Sequence, residues 1–241
     1  MAGTVNRVPL VEVDGVPAAP LAWLFPLRCV VCGEAGRDGR DLCRCCHATL
    51  PWQGPACPRC AVPTPAGSTC GSCLLAPGPL TSVQAVFDYA FPLDRLLPRL
   101  KFHHDFAVGR VLAQCMSERL QRMPERAVIV PIPLHRARLR RRGYDQALEL
   151  ARPLARALQL PLDTHLLQRH RATTAQSRLD AAARQRNLRG AFSVAAGGVP
   201  PAHVVLVDDV MTTGATLEAA AHVLREVGVQ RVDAWACARV A

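Results

Sequence analysis

The sequence predicts an α/β protein, a largely parallel sheet with helices on both faces, preceded by a small cysteine-rich unit. Three observations predict it. From about Thr81 onward, short apolar runs alternate with amphipathic stretches. Four C-x-x-C pairs lie ahead of that alternation. Near the end, an apolar run meets two acids and a small Thr/Gly loop in "VVLVDDVMTTGAT" (204–216).

A chain of 241 residues can bury one medium domain and carry a small one beside it. We divide it into a tail with a short apolar segment (1–27), a cysteine unit (28–80) and an α/β domain (81–241). Half the residues are hydrophobic and 5% are aromatic, a globular profile. No apolar run approaches the roughly 20 residues of a membrane span, so no membrane insertion is expected. The apolar stretch "VPAAPLAWLFPL" (16–27) is broken by prolines and follows Glu12 and Asp14 rather than a basic start. It does not read as a secretory signal, and the chain is expected to be cytoplasmic.

Eight of the eleven cysteines form the pairs Cys29/Cys32, Cys43/Cys46, Cys57/Cys60 and Cys70/Cys73. Ten, ten and nine residues separate successive pairs, so the unit is an internal duplication. Two thiolates three positions apart can hold one face of a tetrahedral Zn²⁺, and a second pair closes the site. The intervening segments are Gly-, Pro- and Arg-rich, and bound metal would supply their folding free energy. Disulfides do not suit a cytosolic chain, and a thioredoxin-type motif needs one such pair on an α/β scaffold rather than four in series. Two structural zinc ions are expected, held by Cys29/Cys32/Cys43/Cys46 and by Cys57/Cys60/Cys70/Cys73, with crossed pairing as the alternative. In "LCRCCHATL" the x2 spacing selects Cys46 over Cys45. Cys115 and Cys237 lie in apolar surroundings and read as small core residues.

In the α/β half, residues 82–90, 127–133, 202–209 and 231–240 read as strands. Residues 105–121 read as a helix with Phe106, Leu112, Met116 and Leu120 near one face. Residues 144–159 and 215–227 read as helices, the latter stopped by Gly228. Ligands on such sheets sit beyond the carboxyl ends of the strands, where Asp208, Asp209 and the loop Met211–Thr216 fall.

That loop leads into a helix, so its backbone N–H groups and the hydroxyls of Thr212, Thr213 and Thr216 form an anion site suited to a phosphate monoester. Gly214 lets the backbone approach closely. Asp208 and Asp209 would repel a phosphate, so they must meet another part of the same ligand. Acceptor-only carboxylates suit vicinal hydroxyls and can hold Mg²⁺ through water. A phosphate beside a diol describes a ribose 5-phosphate.

The net charge of +10 is concentrated. Between His135 and Arg189, thirteen arginines face only Asp145, Glu149, Asp163 and Asp180, which favours an anionic partner. Lys101 is the only lysine in the chain, so codon bias explains the choice of arginine, though not the scarcity of acids in this stretch. Arg138, Arg140, Arg141, Arg142 and Arg184 are candidate contacts to nucleic acid, with the segment from Arg169 to Arg189 alongside. Tyr144 and Phe192 are the aromatic residues of this stretch, so base stacking is expected to be minor.

Residues 204–216 resemble, over their whole length, the phosphoribosyl-pyrophosphate (PRPP) signature of type I phosphoribosyltransferases. "VPIPLHRARLRRRGYDQA" (130–147), "RATTAQSRLDAAARQRNLRGAF" (171–192) and "LFPLRCVVCG" with the double ribbon resemble the ComF family of competence proteins. The resemblance runs from about Leu21 to the end. It implies a type I phosphoribosyltransferase-like parallel sheet behind a double zinc ribbon, binding PRPP with Mg²⁺. It implies Asp208 and Asp209 as the catalytic pair and Met211, Thr212, Thr213, Gly214, Ala215 and Thr216 as the phosphate loop. Pro133, Leu134, His135 and Arg136 would be the pyrophosphate loop. The segment with Gln176, Arg184 and Asn187 would be a hood over the site. Where the family carries asparagine in R-G-F-N-Q, this chain has Asp145, which is not assigned a ligand role. The family implies DNA uptake in natural transformation, with single-stranded DNA and a competence helicase as partners. The alternative is a free-standing phosphoribosyltransferase with a small nitrogen acceptor. Only one helix and one strand follow Thr216, which leaves little chain for a base-reading pocket.

Overall fold

The structure, a computed structural model, describes residues 26–120, 126–171, 190–195, 197 and 199–240. Two short helices, α1 (Arg44–Ala48) and α2 (Gly71–Leu75), belong to the cysteine unit. The second unit runs β1 (Ser82–Asp88), α3 (Leu93–Phe102), α4 (Phe106–Arg119), β2 (Ala127–Pro131), α5 (Arg136–Arg142) and α6 (Gln146–Leu158). It continues with β3 (Leu167–Arg169), β4 (Phe192–Val194), β5 (His203–Met211), α7 (Ala215–Glu226) and β6 (Arg231–Arg239).

Strands β1, β6, β5 and β2, in that order, form one parallel sheet. The two central strands are near-continuous apolar runs because both of their faces are covered. On one face Val204 and Leu206 of β5 meet Leu217, Ala220, Ala221 and Leu224 of α7. On the other, Val205 and Val207 share a core with Leu97, Leu112, Met116, Leu150 and Leu154 of α3, α4 and α6. Cys115 and Cys237 are fully buried there, as small core residues, and burial pushes the Cys115 thiol up to about 12. Strands β3 and β4 pair antiparallel as a separate ribbon against α7.

A buried carboxylate ties the strands together at their amino ends. Asp233 of β6 is fully buried and accepts from Ser82 Oγ of β1 at 2.8 Å, His203 Nε2 of β5 at 2.7 Å and Arg231 Nε at 2.8 Å. Such a charge persists in the interior because several donors converge on it. The opposite, carboxyl end is therefore left free of this tie.

The duplicated cysteine spacing folds as two copies of one shape. In the first, Arg28 bridges Ala35, Cys29 N–H donates to Glu34 O and Gly33 N–H to Cys29 O. In the second, Ala56 bridges Pro63, Cys57 N–H donates to Val62 O and Ala61 N–H to Cys57 O. Each turn needs a left-handed residue after its second cysteine, supplied by Gly33 (φ +80°) and by Ala61 (φ +56°). The unit does not stand apart from the sheet. Residues 51–53 lie antiparallel along β1, with Gln53 N–H on Val86 O and Asp88 N–H on Pro51 O. Cys29, Leu42 and Leu50 enter the same core as Phe87 and Leu112.

The first two predicted strands are found slightly shorter, 82–88 and 127–131. The third runs on to Met211, which was expected in the phosphate loop and instead ends β5 buried in the core. The helix expected at 105–121 spans Phe106–Arg119 with Leu112, Met116 and Leu120 buried. Phe106 departs from that expectation, being 48% exposed, because it begins the helix beyond the reach of the core. Helices α3 and α5 were not anticipated. In α3 Pro98 interrupts an otherwise plain pattern of Leu93, Leu96, Leu97 and Leu100, and α5 is a single arginine-rich stretch with no buried face.

Candidate functional site

The eight paired cysteines close into two groups. The ligand atoms of Cys29, Cys32, Cys43 and Cys46 lie within 4.8 Å of one another, as do those of Cys57, Cys60, Cys70 and Cys73. Cys32 and Cys43 sulfurs stand 3.7 Å apart and Cys60 and Cys70 sulfurs 3.6 Å. A tetrahedral Zn²⁺ with Zn–S near 2.3 Å requires S···S edges of about 3.8 Å, so both groups fit the ion. Pairing is sequential rather than crossed, and the exposed Cys45 lies outside both groups. Burial works against the Cys29 and Cys57 thiolates. Even so, N–H groups from Cys43 and Cys32 at the first, and from Cys70 and Arg59 at the second, draw both pKa values down to about 6. With four sulfurs each, both centres are closed and structural.

The acid pair sits at the carboxyl end of β5. Side chains alternate across a strand, so Asp208 turns toward the face of α7 and Asp209 toward that of α3 and α4. Asp208 accepts from the Asp209 N–H at 2.8 Å, and Asp209 Oδ1 from the Val210 N–H at 2.7 Å. Asp208 keeps some surface exposed, yet protein crowds it on its other sides. Burial first, and the Asp209 carboxylate second, hold its carboxyl well above the ordinary value, against the pull of Lys101.

Lys101 completes this group. Its Nζ lies 2.9 Å from Asp209 Oδ2, in the geometry of an ion pair rather than of an aligned hydrogen bond. Burial opposes the ammonium charge, but Asp209 and then Asp208 outweigh it and raise the pKa. Sequence reasoning missed this residue, although its signal was present: one lysine among 28 arginines.

Beyond Met211 the chain turns through Thr212 and Thr213, both exposed, to Gly214 at φ +82°. Gly214 is the N-cap of α7 and offers no side chain, and among the described residues Thr213 Oγ1 is what approaches the turn, accepting from Ala215 N–H at 3.4 Å. A twelve-residue helix thus presents open amino-terminal N–H groups beside the acid pair, a positive dipole end next to two carboxylates.

The turn Pro133–Arg136 leaves the carboxyl end of the neighbouring strand β2, on the same side of the sheet. Asp145 holds it. One carboxylate oxygen accepts from Leu134 N–H at 2.8 Å, and the other caps α6 by accepting from Ala147 N–H at 2.9 Å and Leu148 N–H at 3.4 Å. Asp145 thus acts within the fold and braces the turn. His135 caps α5 through Nδ1 and meets His170 O through Nε2 at 3.1 Å.

Arg138, Arg140, Arg141 and Arg142 share α5, directly after this turn. Burial, then Arg138, lower the Arg169 pKa, while Asp208 and Asp145 support its charge, so these four groups share one field. Arg184, Gln176 and Asn187 lie outside the described residues. The expectation about aromatic residues needs correction. Tyr144 and Phe192 are buried at 8% and 5% exposure and offer no free ring face, whereas Phe102 and Phe106, distant in sequence, are brought beside α5 with their rings exposed.

A parallel sheet carrying an acid pair and an open helix terminus at its carboxyl end, with a double zinc ribbon docked on its edge, defines a ribbon-bearing protein of the phosphoribosyltransferase type. Residues 20–74 match the double zinc ribbon domain and residues 145–240 the phosphoribosyl transferase domain. "Competence protein F" of Haemophilus influenzae is 33% identical over 225 residues, covering 89% of this chain and 98% of its own length. "DNA utilization protein YhgH" of Escherichia coli (strain K12) is 35% identical over 237 residues, covering 91% and 96%. "Competence protein ComFC" of Streptococcus pneumoniae is 28% identical over 229 residues, covering 88% and 100%. The chain belongs to the ComF family of competence proteins.

Proposed function

We propose that this chain binds PRPP in the cleft at the carboxyl ends of β2 and β5 and serves in DNA uptake, handling internalised single-stranded DNA in the cytoplasm. The observation that carries the first part is the meeting of Asp208 and Asp209 with the uncapped amino terminus of α7. The names of its relatives, which speak of competence and DNA utilization, support the second.

The 5-phosphate accepts hydrogen bonds from the N–H groups of Thr212–Thr216, where the helix dipole adds to them. Asp208 accepts from the ribose hydroxyls on its open side, and Asp209, buried between Lys101 and the Val210 N–H, adds its charge from behind. The turn Pro133–Arg136 holds the pyrophosphate, with Arg138 and Arg169 adding positive charge. Carboxylate oxygens are the donors that Mg²⁺ takes, so Asp208 and Asp209 would also suit that cation, which would supply positive charge to offset the leaving pyrophosphate. As the anomeric carbon becomes cationic, the two carboxylates stabilise the developing charge. A competence helicase is the expected protein partner.

Calorimetric titration with PRPP and Mg²⁺ tests this reading, with Asp208→Asn/Asp209→Asn as the variant. Binding that falls at least about tenfold is expected, since amides are weaker acceptors and poor Mg²⁺ partners. Unchanged affinity refutes the placement. Turnover of PRPP with any nucleobase would instead favour a free-standing transferase with a small acceptor.

A further inference from the structure

The carboxyl end of α5 is packed against the connection between α3 and α4. Phe102 closes α3 at 63% exposure, and the Arg142 guanidinium lies 5.2 Å from its ring centroid. Phe106 opens α4, its ring 5.0 Å from that of Tyr144 in an edge-on arrangement. Between them His104 adopts a left-handed backbone (φ +56°), with its ring 5.1 Å from Tyr144 and its Nε2 3.1 Å from Arg142 O. Tyr144 underneath is fixed, being buried with its hydroxyl donating to Leu100 O. Two exposed phenyl rings and an exposed imidazole are thus mounted on a rigid base, beside Arg140, Arg141 and Arg142.

The surface carries little opposing charge. Helix α5 contains no acid, and Asp105 is engaged by Arg99 at 2.7 Å while it caps α4. Isolated apolar rings on a surface need no explanation, but a cluster rimmed by cations marks a recognition site. Arginines along one helix suit a phosphate backbone, and exposed rings suit unpaired bases, whose faces a duplex hides.

We propose that this surface, Arg140–Arg142 with Phe102, His104 and Phe106, is where single-stranded DNA docks, its phosphates on the arginines and two bases on the phenyl rings. The proposal rests on the single-stranded DNA reading above and adds to it a place and a stacking contribution. An acidic protein partner would use the same arginines without needing flat faces.

The test is fluorescence anisotropy with a labelled oligothymidylate, an abasic strand of equal length and a duplex, each across a salt series. The full chain is compared with Phe102→Ala/Phe106→Ala and with Arg140→Ala/Arg141→Ala, and urea unfolding checks that each variant folds. Oligothymidylate should bind more tightly than the abasic strand and the duplex. Loss of both rings should remove that preference, lowering affinity about tenfold per ring while the salt slope stays unchanged. The arginine variant should keep the preference and lose about 1.4 in the slope, from two phosphate contacts. If the abasic strand binds as well as oligothymidylate, or the ring variant binds like wild type, the stacking site is wrong while the DNA reading stands. If wild type binds no single strand, or prefers the duplex, both fall.

Discussion

Asp145 offers a sharp perturbation because one carboxylate serves two elements. Asp145→Asn keeps the α6 cap, since asparagine caps as well as aspartate, but turns an NH₂ toward the Leu134 N–H that Oδ2 accepts from at 2.8 Å. An unpaired buried donor costs about 1–3 kcal/mol. Part of that is returned, because burial holds the Asp145 carboxyl above its ordinary value and the amide carries no charge to desolvate. The net loss should be near the low end, about 1 kcal/mol. Asp145→Ala removes the cap as well and should lose about 1 kcal/mol more. Urea unfolding at constant m resolves both steps. The same Asn variant should bind PRPP more weakly, because the turn Pro133–Arg136 loses its brace although Asp145 itself meets no ligand. If the Asn variant unfolds with wild type, or the Asn and Ala variants coincide, the division of labour is wrong. If stability falls and PRPP affinity does not, the turn has no part in binding.

Chelation of zinc should redden Trp52 fluorescence before the sheet unfolds, because Trp52 stacks on Phe87 at 4.8 Å within the ribbon's docking surface, and a Trp52→Phe variant should lose the early signal. An emission change that survives in that variant would place the chelation event elsewhere. Asp208→Asn should gain stability relative to wild type as pH rises. The folded-state pKa of Asp208 is raised, so its stabilising protonation is complete below the unfolded value of about 3.9 and is lost as pH climbs through the folded one. Urea midpoints at about pH 5 and about pH 8 that differ equally for both proteins would refute this.

The segment from β5 to α7 was legible because each level of the sequence agrees there: an apolar run, two acids, a loop with Gly214 and a periodic helix. The zinc groups were legible because metal chemistry fixes the spacing of its ligands. Helix α3 was hidden by Pro98, and with it Lys101, whose partner Asp209 lies more than a hundred residues away. The aromatic surface was hidden for a related reason. Phe102 meets Arg142 and Phe106 meets Tyr144 only once α3, α4 and α5 have packed, and Tyr144, conspicuous in sequence, is spent inside. Asp145 stands where the resemblance led us to expect asparagine, and the Leu134 N–H explains what its second oxygen does.

The strip 51–53 along β1 has a consequence for aggregation. A parallel sheet ends in two open ladders, each a template for another chain. Residues 161–163 close the β2 side, with Ile129 N–H on Pro161 O and Asp163 N–H on Ile129 O. The β1 side is closed by residues 51–53, a few residues from Cys46 of the first metal centre, and by Pro58 of the second, whose carbonyl accepts from the Val83 N–H at 2.8 Å. Zinc therefore guards a sticky edge: stripped of metal, β1 would present Val86 and Phe87 to a second copy, and loss of the ion would first be felt as self-association.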